Sequence, residues 1–109
     1  MTTYSIELNN EYANQEFDIV VDEVEKSIHI LLQTVENVLM MSVFVNNEQI
    51  GIPFMCFPNQ PVIPYTYMEE LIDGNFIFET QDDNYPNWEN FNKTCFLYFV
   101  TLDELKNVR

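Results

Sequence analysis

Apolar and polar side chains alternate with a period of two through the first half of the chain, and this alternation most constrains its fold. Tyr4, Ile6 and Leu8 alternate with polar residues, and the spacing recurs over residues 17–21 and 28–32. Successive side chains of a β-strand point to opposite faces, so this period predicts strands with one buried face. Each run ends in Asn, Asp or Glu, as in the predicted turn Asp22-Glu23, so the strands are expected to be short.

A continuous apolar run over residues 38–45 departs from the alternation and is broken only by Ser42. Such a run fits a strand that is covered on both faces, but a buried helix fits it as well, and the sequence leaves both open. The pair Asn46-Asn47 follows directly. Asn tolerates the positive φ angles of tight hairpin turns, so this pair predicts a turn into another strand over residues 49–52.

The sequence pattern changes after Phe54, where Pro58, Pro61 and Pro64 follow one another at intervals of three residues. Proline has no backbone N–H and cannot donate to a central strand ladder. Residues 56–64 are therefore predicted to form an extended connector or an edge strand.

Two segments carry helix signals. The first begins with the capping-box pattern Thr66–Glu69 and would be closed by Gly74, although Asp73-Gly74 also fits a hairpin turn into a strand over residues 75–79. We favour a short helical turn there. A second capping box at residues 101–104 predicts a brief C-terminal helix that ends in Lys106 and Arg109, where cations complement the helix dipole.

The fold class that these elements predict is mostly β. About seven or eight short strands joined by tight turns, without alternating helices, favour a small antiparallel β-barrel or sandwich with one or two short helical turns. With 109 residues, the chain is expected to form one β domain over residues 1–109. Its two glycines, Gly51 and Gly74, are expected where the backbone needs them.

The charge balance excludes some classes of partner. With 18 acidic and 4 basic residues, the net charge is −14. Direct binding to nucleic acid is disfavoured because that affinity comes from Lys and Arg, and an anionic membrane is disfavoured for the same reason. A basic partner, cations or simple solubility remain open roles for the acidity.

Candidate catalytic residues are scarce. His29 lies between two isoleucines without zinc-ligand or general-base partners in the pattern, so we expect a structural histidine on the opposite face from Ile28 and Ile30. Cys56 and Cys95 lack CxxC spacing, and residues 1–5 lack the features of a signal peptide. Reduced, buried thiols in a protein made in the cytoplasm are therefore expected.

Metal and cofactor patterns are equally weak. The acidic run over residues 82–84 lacks the spacing and the trailing Glu of a calcium loop. Nucleotide-binding and Ser/His/Asp patterns are missing from the sequence. We therefore expect neither enzyme activity nor a metal or cofactor.

Aromatic residues in or beside loops are the remaining functional signal. Exposed rings at Tyr65, Tyr67, Tyr85 and Trp88 would mark a protein–protein interface, since aromatic side chains are enriched at binding hot spots. In the alternative interpretation, Trp88 and Phe91 fill the open end of the β structure, because cores use aromatic rings in the same way.

The chain resembles the baseplate plug domains of contractile phage tails, from Tyr4 to Val100. The residues that carry the resemblance are the Tyr-x-Ile-x-Leu opening with a short gap before Phe17, Gly51-Ile52-Pro53-Phe54, the segment Tyr65 to Gly74, an acidic loop, Pro86-Asn87-Trp88-x3-Asn92, and Leu97-Tyr98-Phe99-Val100. Two departures are the proline-rich segment 56–64 and the extension over residues 101–109.

The resemblance implies a non-enzymatic structural part, made in the bacterial cytoplasm and located in the virion or tail particle. Plug domains look like small β-barrels that sit in the baseplate hub and close the tail tube, so the implied partners are hub, spike or tape-measure proteins. Homo-oligomerisation in the particle stays open. The acidity would then repel DNA in the tube or pair with basic hub residues.

Two other classes compete with this interpretation. One is an acidic DNA mimic that inhibits a DNA-binding protein, which requires charge along one face, whereas many acidic residues here fall in turns. The other is a barrel that binds a small apolar ligand, which requires an unfilled lumen. The many Phe, Met and Leu residues predict a filled one.

Overall fold

The structure, a computed structural model, describes residues 3–19 and 27–108. The predicted strand end at Val21, the turn Asp22-Glu23 and the helix end at Arg109 lie outside these residues. The described part contains eight strands and two α-helices, which we number in chain order: β1 Thr3–Ile6, β2 Gln15–Ile19, β3 Ile28–Val35, β4 Val38–Val45, β5 Glu48–Gln49, β6 Phe54–Met55, α1 Thr66–Ile72, β7 Gly74–Thr80, β8 Cys95–Thr101 and α2 Leu102–Val108.

The strands form two antiparallel sheets that pack as an open sandwich. One sheet has the order β1-β8-β7, and the other has the order β2-β3-β4-β5 with β6 also paired to β4. The mostly β prediction is confirmed, and of its two architectures the sandwich is the correct one. The sheets do not close into a barrel because β1 pairs only with β8 and β2 only with β3 among the described residues.

Two asparagine-containing turns set the register of the second sheet. Glu36-Asn37 joins β3 to β4 and Asn46-Asn47 joins β4 to β5, with positive φ at all four residues. Two consecutive positive φ angles define the type I′ turn, whose twist matches that of the flanking strands. The apolar run 38–45 is a strand rather than a helix. The predicted hairpin at Asn46-Asn47 is confirmed, but the strand that follows it covers Glu48–Gln49 rather than residues 49–52.

The core lies between the sheets and contains the inward side chains that the alternation predicts. Its largest fully buried members are Ile28, Ile30, Leu32 and Met41 from one sheet, Phe76, Phe78, Leu97 and Phe99 from the other, and Ile63, Ile72 and Phe91 from the connections. Burying such a side chain contributes about 1.5–3 kcal/mol to folding. The aromatic pairs Phe76–Phe99 and Phe78–Phe91 have ring centroids 5.2 and 6.0 Å apart.

The proline-rich connector covers the free edge of β7, as an edge element should. The Asn59 N–H donates to the Phe78 carbonyl at 2.7 Å, and the Val62 N–H donates to the Phe76 carbonyl at 2.8 Å. The prolines of the segment thus take positions where no donor is needed, while its other residues supply the hydrogen bonds.

The first capping-box prediction is wrong in its details, although the helix exists. Tyr65 is the N-cap of α1 and makes no side-chain cap, while the Glu69 side chain is buried against Asn75. Asp73, with φ of 58°, ends the helix, and Gly74 begins β7. Gly74 is required by space, since a Cβ there would lie 2.5 Å from Phe99 Cζ and from the Val100 carbonyl oxygen.

The second capping box is also wrong, since the Thr101 hydroxyl is buried and has no hydrogen-bond partner within the described structure. The start of α2 is held instead by the Leu102 N–H, which donates to the Asp73 carbonyl at 2.9 Å. This hydrogen bond joins the start of α2, which directly follows β8, to the residue that ends α1. Neither helix of the described chain has the length and apolar character needed to span a membrane.

Candidate docking surfaces

Asn75 anchors the connector and α1 against β7. Its side chain is fully buried, and its Oδ1 accepts hydrogen bonds from the N–H groups of Ile63 and Phe76 at 3.0 and 2.7 Å. Its Nδ2 donates to the Ile63 carbonyl at 2.8 Å and to the Glu69 carboxyl. These bonds satisfy the buried amide and fix where α1 begins.

The anchored helix presents a tyrosine surface, which we define as Tyr65, Tyr67 and Leu71. The two tyrosines are 53% and 62% exposed and stack on each other, with ring centroids 5.9 Å apart and an interplanar angle of 28°. Leu71, one helical turn after Tyr67, is also exposed. Large exposed apolar groups that are held in one orientation are typical of contact surfaces.

A recess of about 570 Å³ extends the tyrosine surface towards the β4–β5 hairpin. Tyr67, Met68 and Leu71 line one side, and residues 48–51 line the other. Gly51 has φ of +66°, and a Cβ there would lie 3.0 Å from Met68 Cε. The positive φ is what favours glycine at this position, since the nearest contact is with the flexible end of the Met68 side chain.

A second exposed aromatic pair lies where the connector begins. The rings of Phe57 and Tyr85 meet edge to face, with centroids 6.0 Å apart, and Tyr85 is 59% exposed. The pair comes from segments that are distant in sequence, so the structure adds Phe57 to the candidates that the sequence indicated. An exposed aromatic pair thus lies beside each end of the connector, Phe57–Tyr85 at its start and Tyr65–Tyr67 after its end.

Trp88 and Phe91 differ from the tyrosines. Phe91 is fully buried and stacks on Phe78, which agrees with the alternative role of filling the end of the β structure. Trp88 is half-buried and packs against the core at the start of a short 3-10 turn that Asn87 caps. Of the four residues predicted for an interface, the structure exposes Tyr65, Tyr67 and Tyr85, but covers much of Trp88.

Other apolar residues of these surfaces carried weaker sequence signals. Ile52, next to Gly51, is highly exposed, and so is Leu71. Helical spacing places Leu71 on one face of the predicted helix together with Met68 and Ile72. In the structure Met68 and Ile72 are buried whereas Leu71 is exposed, which the local pattern could not reveal.

His29 lies on the outer face of β3, opposite Ile28 and Ile30 as predicted, and holds two carboxylates of β2. Its Nδ1 is 2.8 Å from Asp18 Oδ1, and its Nε2 is 3.0 Å from Glu16 Oε2. The hydrogen bond to Asp18, followed by that to Glu16, raises the pKa of His29 above its ordinary value of 6.5, against a smaller opposing effect of burial. The arrangement joins two strands.

The cysteines are free and buried, as predicted. Burial raises the pKa of Cys95 to about 11, and burial, reinforced by Cys95 nearby, raises the pKa of Cys56 still further. Nucleophilic chemistry requires the thiolate, which both environments disfavour. The cysteines therefore serve as core side chains.

The acidic run 82–84 forms a turn rather than a converging ligand set. Asp82 and Asp83 both have positive φ, and Asp83 Oδ1 accepts a hydrogen bond from Asn59 Nδ2 at 2.7 Å. Within residues 3–19 and 27–108, no three His, Cys, Asp or Glu side chains are grouped to hold a metal ion. Through the bond between Asp83 and Asn59, the run links the β7–β8 connection to the connector.

One protein family matches the chain over nearly its full length. The family model described as cyanophage baseplate Pam3 plug gp18 matches residues 3–103. No curated protein matches the chain. The matched residues begin at the first residue of β1 and end within α2, so they include both sheets, the connector and the tyrosine surface.

Proposed function

Because the chain belongs to the cyanophage baseplate plug family, we propose that it is the plug of the baseplate hub and closes the tail tube by docking on neighbouring subunits. Membership makes it a structural component of the virion baseplate, in contact with other baseplate proteins. The family is not a known enzyme family. The hub, spike and tape-measure proteins are the partners that we propose for it.

The observation that carries the docking proposal is the stacked pair Tyr65–Tyr67. Aromatic side chains that are already held in one orientation lose little conformational entropy on binding. The pair follows the connector, which Asn75 holds through two hydrogen bonds to Ile63, while a third bond from Asn75 reaches Glu69 in α1. Such a rigid, apolar projection suits a part that must seat in a fixed orientation and hold the tube closed.

Charge supports a basic partner for this contact. The net charge of −14 leaves the protein few cations with which to pair acidic neighbours. A contact with basic hub residues would weaken as salt screens it, since the Debye length falls to about 10 Å at 0.1 M. The same charge would repel DNA from the plug on the lumen side.

The test is a pull-down from phage lysate with tagged protein, followed by mass spectrometry of the bound proteins. Wild-type protein is expected to recover hub, spike or tape-measure proteins. The variant Tyr65→Ser/Tyr67→Ser is expected to recover at least about tenfold less, the size of a hot-spot loss. Serine is a favoured N-cap, so the change at Tyr65 leaves α1 intact.

The matched control is Val35→Ser, which removes an exposed apolar side chain from the β3–β4 hairpin. It should recover the same partners as the wild type. Equal recovery by the tyrosine variant would remove the tyrosine surface from the proposal, and failure to recover any baseplate protein would contradict hub docking itself.

The alternative function of a DNA mimic has no support. A mimic needs carboxylates along one face, whereas here Glu16 and Asp18 bond His29, Glu69 is buried and Asp82 lies in a turn. In the pull-down, this alternative predicts recovery of a nuclease or another DNA-binding protein.

A further inference from the structure

The recess between α1 and the β4–β5 hairpin has an apolar base and an apolar side. Val45, Ile50 and Met68 line it and pack with the core, so its base is continuous with the interior of the sandwich. Tyr67 and Leu71 line the side that α1 forms, and both are exposed. Its volume of about 570 Å³ lies in the range of sites that enclose a ligand, so it has room for several side chains of a partner.

Both sides of the recess are held in place within the protein. On the hairpin side, the Asn46 N–H donates to the Ser27 carbonyl at 2.8 Å, and Asn46 Oδ1 accepts from the Ser27 N–H at 3.1 Å. On the other side, α1 is joined to β7 by the hydrogen bond between Glu69 and Asn75. A site that is already ordered loses little conformational entropy when a partner binds.

The shape of the recess favours a helix over an added strand. On the hairpin side, β5 covers only Glu48–Gln49, which is too short an edge for strand addition through main-chain hydrogen bonds. Contacts would therefore be made by side chains. An amphipathic helix presents apolar side chains at positions i and i+3 or i+4, and it binds in apolar grooves through them.

The charge of the recess distinguishes a basic helix from a second copy of the chain. The exposed Glu48 lines it, and no described Lys or Arg does so. In a second copy, α1 would present Tyr67 and Leu71 with helical spacing, but Thr66–Ile72 contains Glu69 and Glu70 and no basic residue. Two molecules of net charge −14 also repel each other, whereas the same field attracts a helix that carries Lys or Arg.

We propose that this recess binds an amphipathic helix of a partner protein, with apolar residues at i and i+4 against Met68 and Leu71 and a Lys or Arg beside Glu48. The inference rests on the proposed docking of the tyrosine surface, since Tyr67 and Leu71 belong to both. It adds the structural class and the charge of the partner segment: the apolar side chains supply affinity, and Glu48 selects a basic helix.

The test uses the purified protein and a fluorescent peptide of about 18 residues, with leucines at i, i+4 and i+7 spacing and with lysines and alanines elsewhere. Anisotropy measures its affinity, and circular dichroism should show a gain of helix on binding. In methyl NMR spectra, the Met68 signal should shift, whereas that of Met55, which lies outside the recess, should not.

Two control peptides separate the proposed contact from non-specific attraction. A peptide of the same composition, in which the leucines do not share a helical face, should bind at least about fivefold more weakly. A peptide with glutamate in place of lysine should also bind at least about fivefold more weakly, because its charge has the same sign as that of the protein.

Substitutions of exposed residues locate the site. Leu71→Ser should weaken binding of the helical peptide about tenfold, and Glu48→Gln about threefold. The matched controls Val35→Ser and Glu79→Gln, at exposed positions outside the recess, should change it less than about twofold. Equal effects of site and control variants, equal binding of the peptides, binding without a gain of helix, or a shift of Met55 alone would overturn the proposal. Self-association of the free protein with a shift of Met68 would also overturn it and assign the recess to a second copy.

The two proposals can fail separately, because the peptide assay uses the isolated protein and the pull-down uses the phage partners. If the peptide fails to bind while the pull-down recovers hub proteins, the helix proposal is wrong and hub docking stands. If the peptide binds as expected while no baseplate protein is recovered, hub docking is contradicted, and the recess remains a helix site for another class of protein.

Discussion

At the scale of single residues, the Asn75 side chain makes four hydrogen bonds within the core. It is buried and bonds the connector, β7 and Glu69 together. Asn75→Ala would leave the Glu69 carboxyl and the Ile63 backbone groups without this partner, so we expect the free energy of unfolding to fall by about 2–4 kcal/mol. Denaturant titration measures this loss.

The control for Asn75 is Asn107→Ala, which changes an exposed residue of α2. It should alter the free energy of unfolding by less than about 0.5 kcal/mol. If the two variants were equally stable, the hydrogen bonds of Asn75 would not be what fixes the connector and α1.

His29 gives the protein a pH-dependent contribution to stability. Its pKa is raised in the folded state by Asp18 and Glu16, so protonated His29 stabilises the fold. This contribution is complete below the unfolded pKa of about 6.5 and is lost as pH rises through the higher folded pKa. The stability difference between wild type and His29→Gln should therefore shrink from pH 6 towards alkaline pH.

Two measurements check the histidine prediction. Denaturant titrations of both proteins across this pH range give the difference directly, and an NMR titration should place the midpoint of His29 above 6.5. A midpoint at or below that value would mean that the contacts to Asp18 and Glu16 are not maintained in solution.

At the scale of elements, the β3–β4 turn contains a residue poorly suited to it. Glu36 has φ of 50° in a type I′ turn, where Asn is favoured because its short side chain tolerates this conformation. Glu36→Asn is expected to stabilise the protein by about 0.5–1 kcal/mol. Thermal unfolding measures the change.

Glu48→Asn is the matched control for the turn variant. It makes the same substitution with the same change of charge at an exposed strand position, outside the residues of positive φ. It should give no comparable gain, since Asn is disfavoured in strands. A similar gain in both variants would point to the removed charge rather than to the turn.

The elements also show which features a local sequence pattern can predict. Alternation located β1, β2 and β3, and the proline spacing located the connector, because both patterns report directly on strand geometry and backbone donors. The capping boxes failed because distant residues intervene: Glu69 is drawn to Asn75, and the Thr101 hydroxyl is enclosed by the core. A four-residue motif contains no information on such contacts.

The candidate surfaces were likewise predictable only where a local sequence pattern determines them. Tyr65, Tyr67 and Tyr85 are exposed, although Tyr67 lies in α1 rather than in a loop, whereas Trp88 is half-buried. The pairing of Phe57 with Tyr85 was not predicted. It arises where segments from different parts of the chain meet, so only the tertiary structure reveals it.

At the scale of the whole molecule, the net charge of −14 opposes folding through repulsion among the acidic residues. The charges are held closer together in the compact fold, of which the Cα radius of gyration is 13.0 Å, than in an unfolded chain. Salt screens this repulsion, and the ion pairs of His29, which salt also weakens, lie at the surface, where such pairs contribute little to stability. We therefore expect the unfolding temperature to rise with NaCl.

Thermal unfolding at pH 8 and several NaCl concentrations below about 0.5 M separates screening from other salt effects, because screening saturates once the Debye length is a few ångströms. Sodium sulfate serves as a control, since its exclusion from the surface continues to stabilise beyond that range. The charge reversal Glu79→Lys should reduce the dependence on NaCl, because it lowers the net negative charge by two. An unfolding temperature that falls with NaCl would show that ion pairs, rather than repulsion, dominate the electrostatics of the fold. It would also weaken the argument that the net charge of the protein favours a basic partner.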